Sequence, residues 1–231
     1  MITAEEQIRD RLLHTRQAIV DSAATANRHD NEIQLLAVSK TQAADKLRTA
    51  FSFGQVAFGE NYLQEALDKQ QQLSDLDIEW HFIGPIQSNK TRDISAHFSW
   101  VHSVDRLKIA KRLNEQRPAE LPPLNICLQV NIDGEATKSG VSPENILTLA
   151  DEIAALPKLN LRGLMAIPAP KACFEEEYET FTRVRDIMQK IPTMDTLSIG
   201  MSGDMDAAIA AGSTILRVGT AIFGKREAKT I

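Results

Sequence analysis

Short apolar runs alternate with longer amphipathic stretches along nearly the whole chain. The opening segment, Thr3 to Arg28, spaces Ile8, Leu12, Ile19 and Ala23 at a 3.6-residue period, and Thr3 with Glu6 forms a capping-box pattern, which predicts a helix. The first apolar run, Ile33–Lys40, reads as a strand. Helical stretches at Ala43–Phe53, Leu63–Leu73, Lys90–His97 and Arg106–Gln116 are then interleaved with strand-like runs at Gln55–Asn61, Glu79–Gly84 and Trp100–Val104. The pattern continues with a strand at Leu124–Ile132 and a helix at Pro143–Ala155, with Ser142 as its cap and Pro143 in its first turn. A strand at Leu161–Ile167 and a helix at Phe174–Lys190 follow. Then come a strand at Thr196–Ser202, a short helix at Met205–Ala211 and a last strand at Thr214–Phe223.

This makes about eight strands, each but the last followed by a helical stretch, with one extra helix in front. Continuous alternation implies parallel strands joined by crossover helices. Eight such units fit a closed (β/α)8 TIM barrel of the α/β class better than an open doubly wound sheet, which stays an alternative because strand order is invisible in sequence. No linker, composition break or repeat divides the chain, so residues 1–231 are expected to form a single domain.

Composition narrows the partners. Of 231 residues, 43% are hydrophobic and 25% charged, enough to bury a large core without disulfides or metals. The formal charge of −5 argues against nucleic acid or an anionic membrane as main partner. Two cysteines make neither a disulfide framework nor a zinc site: Cys127 lies inside the apolar run Leu124–Val130 and reads as a small buried hydrophobe, and Cys173 sits in a loop. The amino terminus is acidic without a signal-peptide core, and no apolar stretch reaches membrane-spanning length. A cytoplasmic monomer is expected.

A lysine at the carboxyl end of a buried strand is costly to desolvate. Lys40 therefore either leans out to solvent or serves as an amine nucleophile toward an aldehyde. In a barrel the functional face gathers the carboxyl ends of the strands, which here brings together Lys40, Asn61, Gly84-Pro85, Asn131, Met165–Pro168, Ser202 and Gly219-Thr220. The last two ends are rich in glycine and hydroxyls. Ser202, Gly203, Gly219 and Thr220 are candidate phosphate ligands, because glycine lets backbone N–H groups approach an anion; alternatively the glycines shape turns and Ser202 caps a helix. Pyridoxal 5′-phosphate presents both an aldehyde and a phosphate, so a lysine and a phosphate cradle on one face point to it together. Arg217, on the strand face of Gly219, is placed to donate to an unprotonated pyridine nitrogen, or to pair with a carboxylate such as Asp204 or Glu60.

The strings Leu36–Lys40, Phe58–Tyr62, Trp80–Lys90, Gly163–Ile167, Ser198–Ser202 and Arg217–Gly224 closely resemble the pyridoxal phosphate homeostasis protein family, from about Ile33 to Gly224. The resemblance implies the fold of the alanine racemase amino-terminal barrel and pyridoxal 5′-phosphate as cofactor. It matches Lys40 to the lysine of the internal aldimine, Ser202, Gly219 and Thr220 to phosphate-binding positions, and Arg217 to the ring-nitrogen partner. Asn61, His81 and Met165 fall in family motifs that line the cofactor pocket, although His81 taken alone reads as a satisfied core histidine. Lys138 falls in a family-like segment and is either a transient phosphate holder or a solvated loop lysine.

The family likeness implies a vitamin B6 role: holding the cofactor, keeping its free aldehyde low, and delivering it to apo-enzymes. The competing reading is an amino-acid racemase, which needs a second acid/base opposite the lysine. Alanine-racemase-like enzymes take a tyrosine for this from an added β domain. This chain runs to Ile231, soon after its eighth strand, and its two tyrosines are Tyr62, at a helix start on the functional face, and Tyr178, in an outer helix. Carrier is thereby favoured over catalyst. A third reading is a plain scaffold with an inert Lys40.

Overall fold

The computed structural model describes residues 3–135 and 137–224. Eight strands close into a parallel barrel in sequence order: β1 (Gln34–Val38), β2 (Ala57–Glu60), β3 (Glu79–Phe82), β4 (Trp100–Val104), β5 (Leu124–Val130), β6 (Leu159–Ala166), β7 (Thr196–Ser198) and β8 (Ile215–Val218). Closure is direct, with Leu36 opposite Arg217 and Ala37 opposite Val218. Apart from the half-exposed start of β6, most strand positions are buried on both faces, which is why the strands do not read as a clean alternation of apolar and polar residues.

Around them lie α1 (Ala4–Thr25), α2 (Ala44–Ser52), α3 (Leu63–Gln72), α4 (Thr91–His97), α5 (Leu107–Gln116), α6 (Ile146–Ala154), α7 (Phe174–Met188), α8 (Met205–Ala210) and α9 (Thr220–Phe223). Thr3 and Glu6 close the capping box of α1, whose Ile8, Leu12, Thr15, Ile19 and Ala23 are buried. This helix packs against α2, α8 and α9. It stands where the helix after β8 would complete the ring, and Arg28 just beyond it donates to the carbonyls of Ile209 (2.9 Å) and Ser213 (2.7 Å).

Several boundaries differ from the sequence expectation. The last strand stops at Val218 rather than Phe223. Gly219 leaves the extended region (φ −118°, ψ −73°) and its carbonyl accepts from the N–H groups of Ile222 and Phe223, so β8 too is followed by a short helix. Strand β7 stops at Ser198 rather than Ser202; Gly200 (φ +91°) turns the chain, a conformation that favours glycine. Strand β5 stops at Val130, short of Ile132, and β6 starts at Leu159, ahead of Leu161. Ser142 makes no side-chain cap, and Pro143–Asn145 form a 3-10 turn before α6 begins at Ile146. Lys40 lies in a turn beyond β1 rather than in the strand.

Among the described residues, no helix is long and apolar enough to cross a membrane. Cys127 is fully buried, and burial pushes its thiol up to about 12. Cys173 is exposed at the start of α7.

Candidate functional site

A cleft of about 310 Å³ opens at the carboxyl ends of the strands, within the size range of small-molecule sites. Seven of the nine candidate residues line it: Lys40, Asn61, Ser202, Gly203, Arg217, Gly219 and Thr220. They come from the turns after β1, β2, β7 and β8 and from β8 itself, so barrel closure is what brings the lysine beside the glycine-rich loops.

Lys40 is half-buried in a tight turn in which Gln42 N–H donates to the Ser39 carbonyl (3.0 Å). Thr41, third in the turn, has φ +63°. A turn that is left-handed only at its third position is of the type that calls for glycine there, and a β-branched residue in that conformation carries strain of about 1–3 kcal/mol. The turn rests on a buried ionic cluster. Lys69 Nζ donates to the Ser39 carbonyl (2.7 Å), Glu60 Oε1 (2.7 Å) and Glu65 Oε1 (2.6 Å). Ser39 Oγ donates to Glu60 Oε1 (2.6 Å), and Thr41 N–H to Glu65 Oε1 (2.5 Å). Burial pushes the Glu60 carboxyl up, with Lys69 pulling the other way.

Arg217 is 5% exposed and forms the cleft floor. Nη1 donates to the Ser198 carbonyl (2.5 Å) and to Ser198 Oγ (2.9 Å), and Nη2 to the Ala166 carbonyl (2.9 Å). Burial lowers its pKa to about 10, which leaves it charged at neutral pH. It forms no ion pair with Glu60, which binds Lys69, or with Asp204, whose Oδ1 accepts from Met201 N–H (2.5 Å). Asp204, not Ser202, occupies the cap position of α8.

Below Arg217 a polar chain crosses the barrel. Ser198 Oγ lies 2.8 Å from His102 Nδ1, His102 Nε2 lies 2.9 Å from His81 Nδ1, and His81 Nε2 lies 2.7 Å from Glu79 Oε1, which also accepts from Gln34 (2.8 Å). Burial depresses the pKa of both histidines, and the His81 contact holds the Glu79 carboxyl below its usual range. Neutral rings and an ionised Glu79 leave one proton assignment: Ser198 donates to His102, His102 to His81, and His81 to Glu79.

His81 and Met165 do not line the cleft. Both are fully buried; His81 stacks on Trp100, and Met165 packs with Trp100 and Cys127. Ile83 and Ile167, two residues further along each chain, line it instead. A two-residue step keeps the direction of the side chain but moves it about 7 Å along a strand. The expectation thus chose the right faces one layer too deep. Ile83 and Ile167 carried no chemical signal of their own, and nor did Val38 and Met201, which also line the cleft. Lys138 pairs with Glu135 (2.8 Å) and lines a neighbouring cleft of about 260 Å³ that shares Asn61, Ile83 and Ile167 with the first. Tyr62 is 54% exposed at the start of α3, outside the cleft, and Tyr178 lies on α7.

The closed parallel barrel places this chain in the class of the alanine racemase amino-terminal domain: the family model described as "Alanine racemase, N-terminal domain" matches residues 15–227. Alanine racemase from Corynebacterium glutamicum shares this fold with a TM-score of 0.67 at 17% identity over 96% of this chain and 62% of that one. Much nearer in sequence are proteins named pyridoxal phosphate homeostasis protein. That of Pseudomonas aeruginosa is 57% identical over 210 residues (90% of this chain, 91% of that protein), and that of Escherichia coli K12 is 50% identical over 223 residues (94% and 95%). The structure of PipY from Synechococcus elongatus with PLP bound superposes with a TM-score of 0.81 at 35% identity, covering 94% of this chain and all of that one. The chain belongs to the pyridoxal phosphate homeostasis protein family.

Proposed function

We propose that this protein is a single-domain carrier of pyridoxal 5′-phosphate, holding it through an imine on Lys40 and buffering or delivering it in the cytoplasm as a monomer. The observation that carries the reading is the meeting in one cleft of the Lys40 amine, the buried Arg217 guanidinium and the glycine- and hydroxyl-bearing turns at Ser202-Gly203 and Gly219-Thr220. The donor set fits the cofactor: an amine for the aldehyde, hydroxyls and accessible backbone for the phosphate, and a fixed guanidinium for the ring nitrogen. A Cβ added at Gly203 would have no described atom within 4 Å, whereas one at Gly219 would press on the Val38 carbonyl at 3.0 Å, so close backbone approach is built into the second turn. Asn61 Oδ1, buried on the cleft wall, has no hydrogen-bond donor among the described residues. The PLP-bound PipY structure and the naming of the curated relatives support the same reading.

When bound, the cofactor supplies an aldehyde that condenses with an amine, releasing water. Lys40 provides the amine. Ser202, Gly203, Gly219 and Thr220 hold the phosphate end. Arg217, pinned to Ser198 and Ala166, keeps its charge and offers a donor to the pyridine nitrogen without protonating it, which weakens the ring as an electron sink. His81 and Met165 support the floor of the pocket from below rather than touching the cofactor.

A non-catalytic role is supported by the lining itself. Among the described residues that line the cleft, Lys40 and Arg217 are the ionisable side chains, whereas racemisation calls for a second acid/base opposite the lysine. The relatives' naming points the same way, and apo-enzymes that use the cofactor are the partners this role implies.

The test is an absorbance spectrum of the purified protein with pyridoxal phosphate, before and after borohydride, for wild type and Lys40→Ala. Wild type is expected to show an imine band and, after reduction, a phosphopyridoxyl adduct mapped to Lys40. The absence of any band with excess cofactor would sink the reading. Alanine racemisation by the loaded protein at rates typical of enzymes would replace carrier by catalyst.

A further inference from the structure

The two peptide groups that flank Lys40 are both held by one buried cluster. On the amino side, the Ser39 carbonyl accepts from Lys69 Nζ while Ser39 Oγ donates to Glu60; on the carboxyl side, Thr41 N–H donates to Glu65. Lys69 is 4% exposed and Glu60 fully buried, so neither is an incidental surface contact. All three ammonium donors of Lys69 are used, two on carboxylates and one on the turn itself. The cluster comes from elsewhere in the chain: Glu60 ends β2, and Glu65 and Lys69 stand one turn apart on α3. It grips a turn whose third residue, Thr41, stays in a left-handed conformation that a β-branched side chain disfavours.

We propose that the Glu60–Lys69–Glu65 cluster is a positioning device for Lys40, clamping both flanking peptide groups so that the amine is presented to the cleft. The inference rests on Lys40 being the attachment point for the cofactor. A lysine side chain has four rotatable bonds, and a backbone free to turn at Thr41 would spread its amine over many positions. Fixing the backbone on both sides confines that search to the side chain alone, which raises the fraction of encounters that lead to condensation. Glu60, Glu65 and Lys69 are not among the residues that line the cleft, so their effect should fall on imine formation and not on non-covalent docking.

That separation defines the experiment. Affinities for pyridoxal phosphate and for pyridoxine 5′-phosphate, an alcohol that cannot form an imine, are measured on wild type and Glu65→Ala, together with the rate of appearance of the imine band. Glu65 is partly exposed on α3, so its removal should leave the fold intact, whereas Lys69→Met strands the buried Glu60 and serves as a second variant only if it folds. Glu65→Ala is expected to slow imine formation and weaken pyridoxal phosphate binding by about tenfold while changing the alcohol's affinity less than about twofold. Thr41→Gly in the Glu65→Ala background should restore the rate, because glycine adopts the turn without being held. Equal losses for both ligands, no loss for either, or a double variant as slow as Glu65→Ala would overturn the positioning role. A wild-type protein that binds the alcohol but forms no adduct on Lys40 would instead overturn the carrier reading on which it rests.

Discussion

Arg217 Nη1 and Ser198 Oγ lie 2.9 Å apart across β7 and β8, and that hydroxyl is also 2.8 Å from His102 Nδ1. The guanidinium can only donate, so the hydroxyl accepts from it, and the hydroxyl proton goes to the unprotonated ring nitrogen of His102. The cleft floor is thus tied through Ser198 to His102, His81 and Glu79, and the cation at the top of the barrel is oriented by groups that reach toward its other end.

Replacing Arg217 by lysine keeps the charge but removes the planar fork that reaches Ser198 and Ala166 together. Arg217→Lys should fold and still form an adduct on Lys40, while its dissociation constant for pyridoxal phosphate rises about tenfold. Fluorescence or absorbance titration checks this, and unchanged affinity would show that the fork does not orient the cofactor.

Acid should weaken the fold before the carboxylates titrate. His81 and His102 have folded-state pKa values below their unfolded ones, so below about pH 6.5 the unfolded chain binds more protons than the folded one. Their contribution is complete above that pH and is lost as pH falls toward the folded values, at about 1.4 kcal/mol per pH unit for each ring. Glu60, whose pKa is raised, shifts stability the other way by one group, and Glu79, whose pKa is lowered, adds to the loss below about pH 4.3. Urea midpoints at pH 7.5 and 5.5 test the sign: the lower pH should give the lower midpoint, and a higher one would contradict neutral buried rings.

Gly219 should tolerate no side chain at full affinity. An alanine Cβ would sit 3.0 Å from the Val38 carbonyl and 3.3 Å from its Cβ, so β1 and the turn between β8 and α9 must move apart by a few tenths of an ångström. Gly219→Ala is expected to weaken pyridoxal phosphate by about tenfold and leave phosphate-free pyridoxal nearly unaffected. Parallel titration of the two ligands checks it; equal effects on both would place the phosphate elsewhere.

The opening helix should behave as part of the barrel. Leu12 is fully buried against the ring, so Leu12→Ala should cost about 2–5 kcal/mol of unfolding free energy, read from denaturant melts. A loss under about 0.5 kcal/mol would mean that α1 is a loosely attached arm.

Much of the barrel was legible because a strand buried on both faces and a helix with one buried stripe write different periods into the chain. The capping box at Thr3 and Glu6 and the stripe of Ile8, Leu12 and Ile19 are plain in the local sequence. Strand ends are less legible where the chain leaves the extended form for local reasons. Thr214–Phe223 is apolar enough for one strand, yet Gly219 divides it between β8 and α9. The same limit put His81 and Met165 in the pocket: alternation tells which face a residue takes, but not which layer of the barrel the ligand reaches.

The order of elements, the buried runs and the chemistry at Lys40, Ser202, Arg217 and Gly219 are properties of local sequence, because period, glycine and charge act over a few residues. Which of those groups meet is a matter of closure. Only the pairing of β8 with β1 sets Arg217 beside Leu36 and brings Gly219 against Val38, across a separation of about 180 residues. Only the packing of α3 beneath the first turn delivers Lys69 and Glu65 to the peptide groups around Lys40. Hydrogen bonds of under 3 Å between residues so far apart in the chain leave no trace in its periodicity, since the partners are chosen by the shape of the folded barrel.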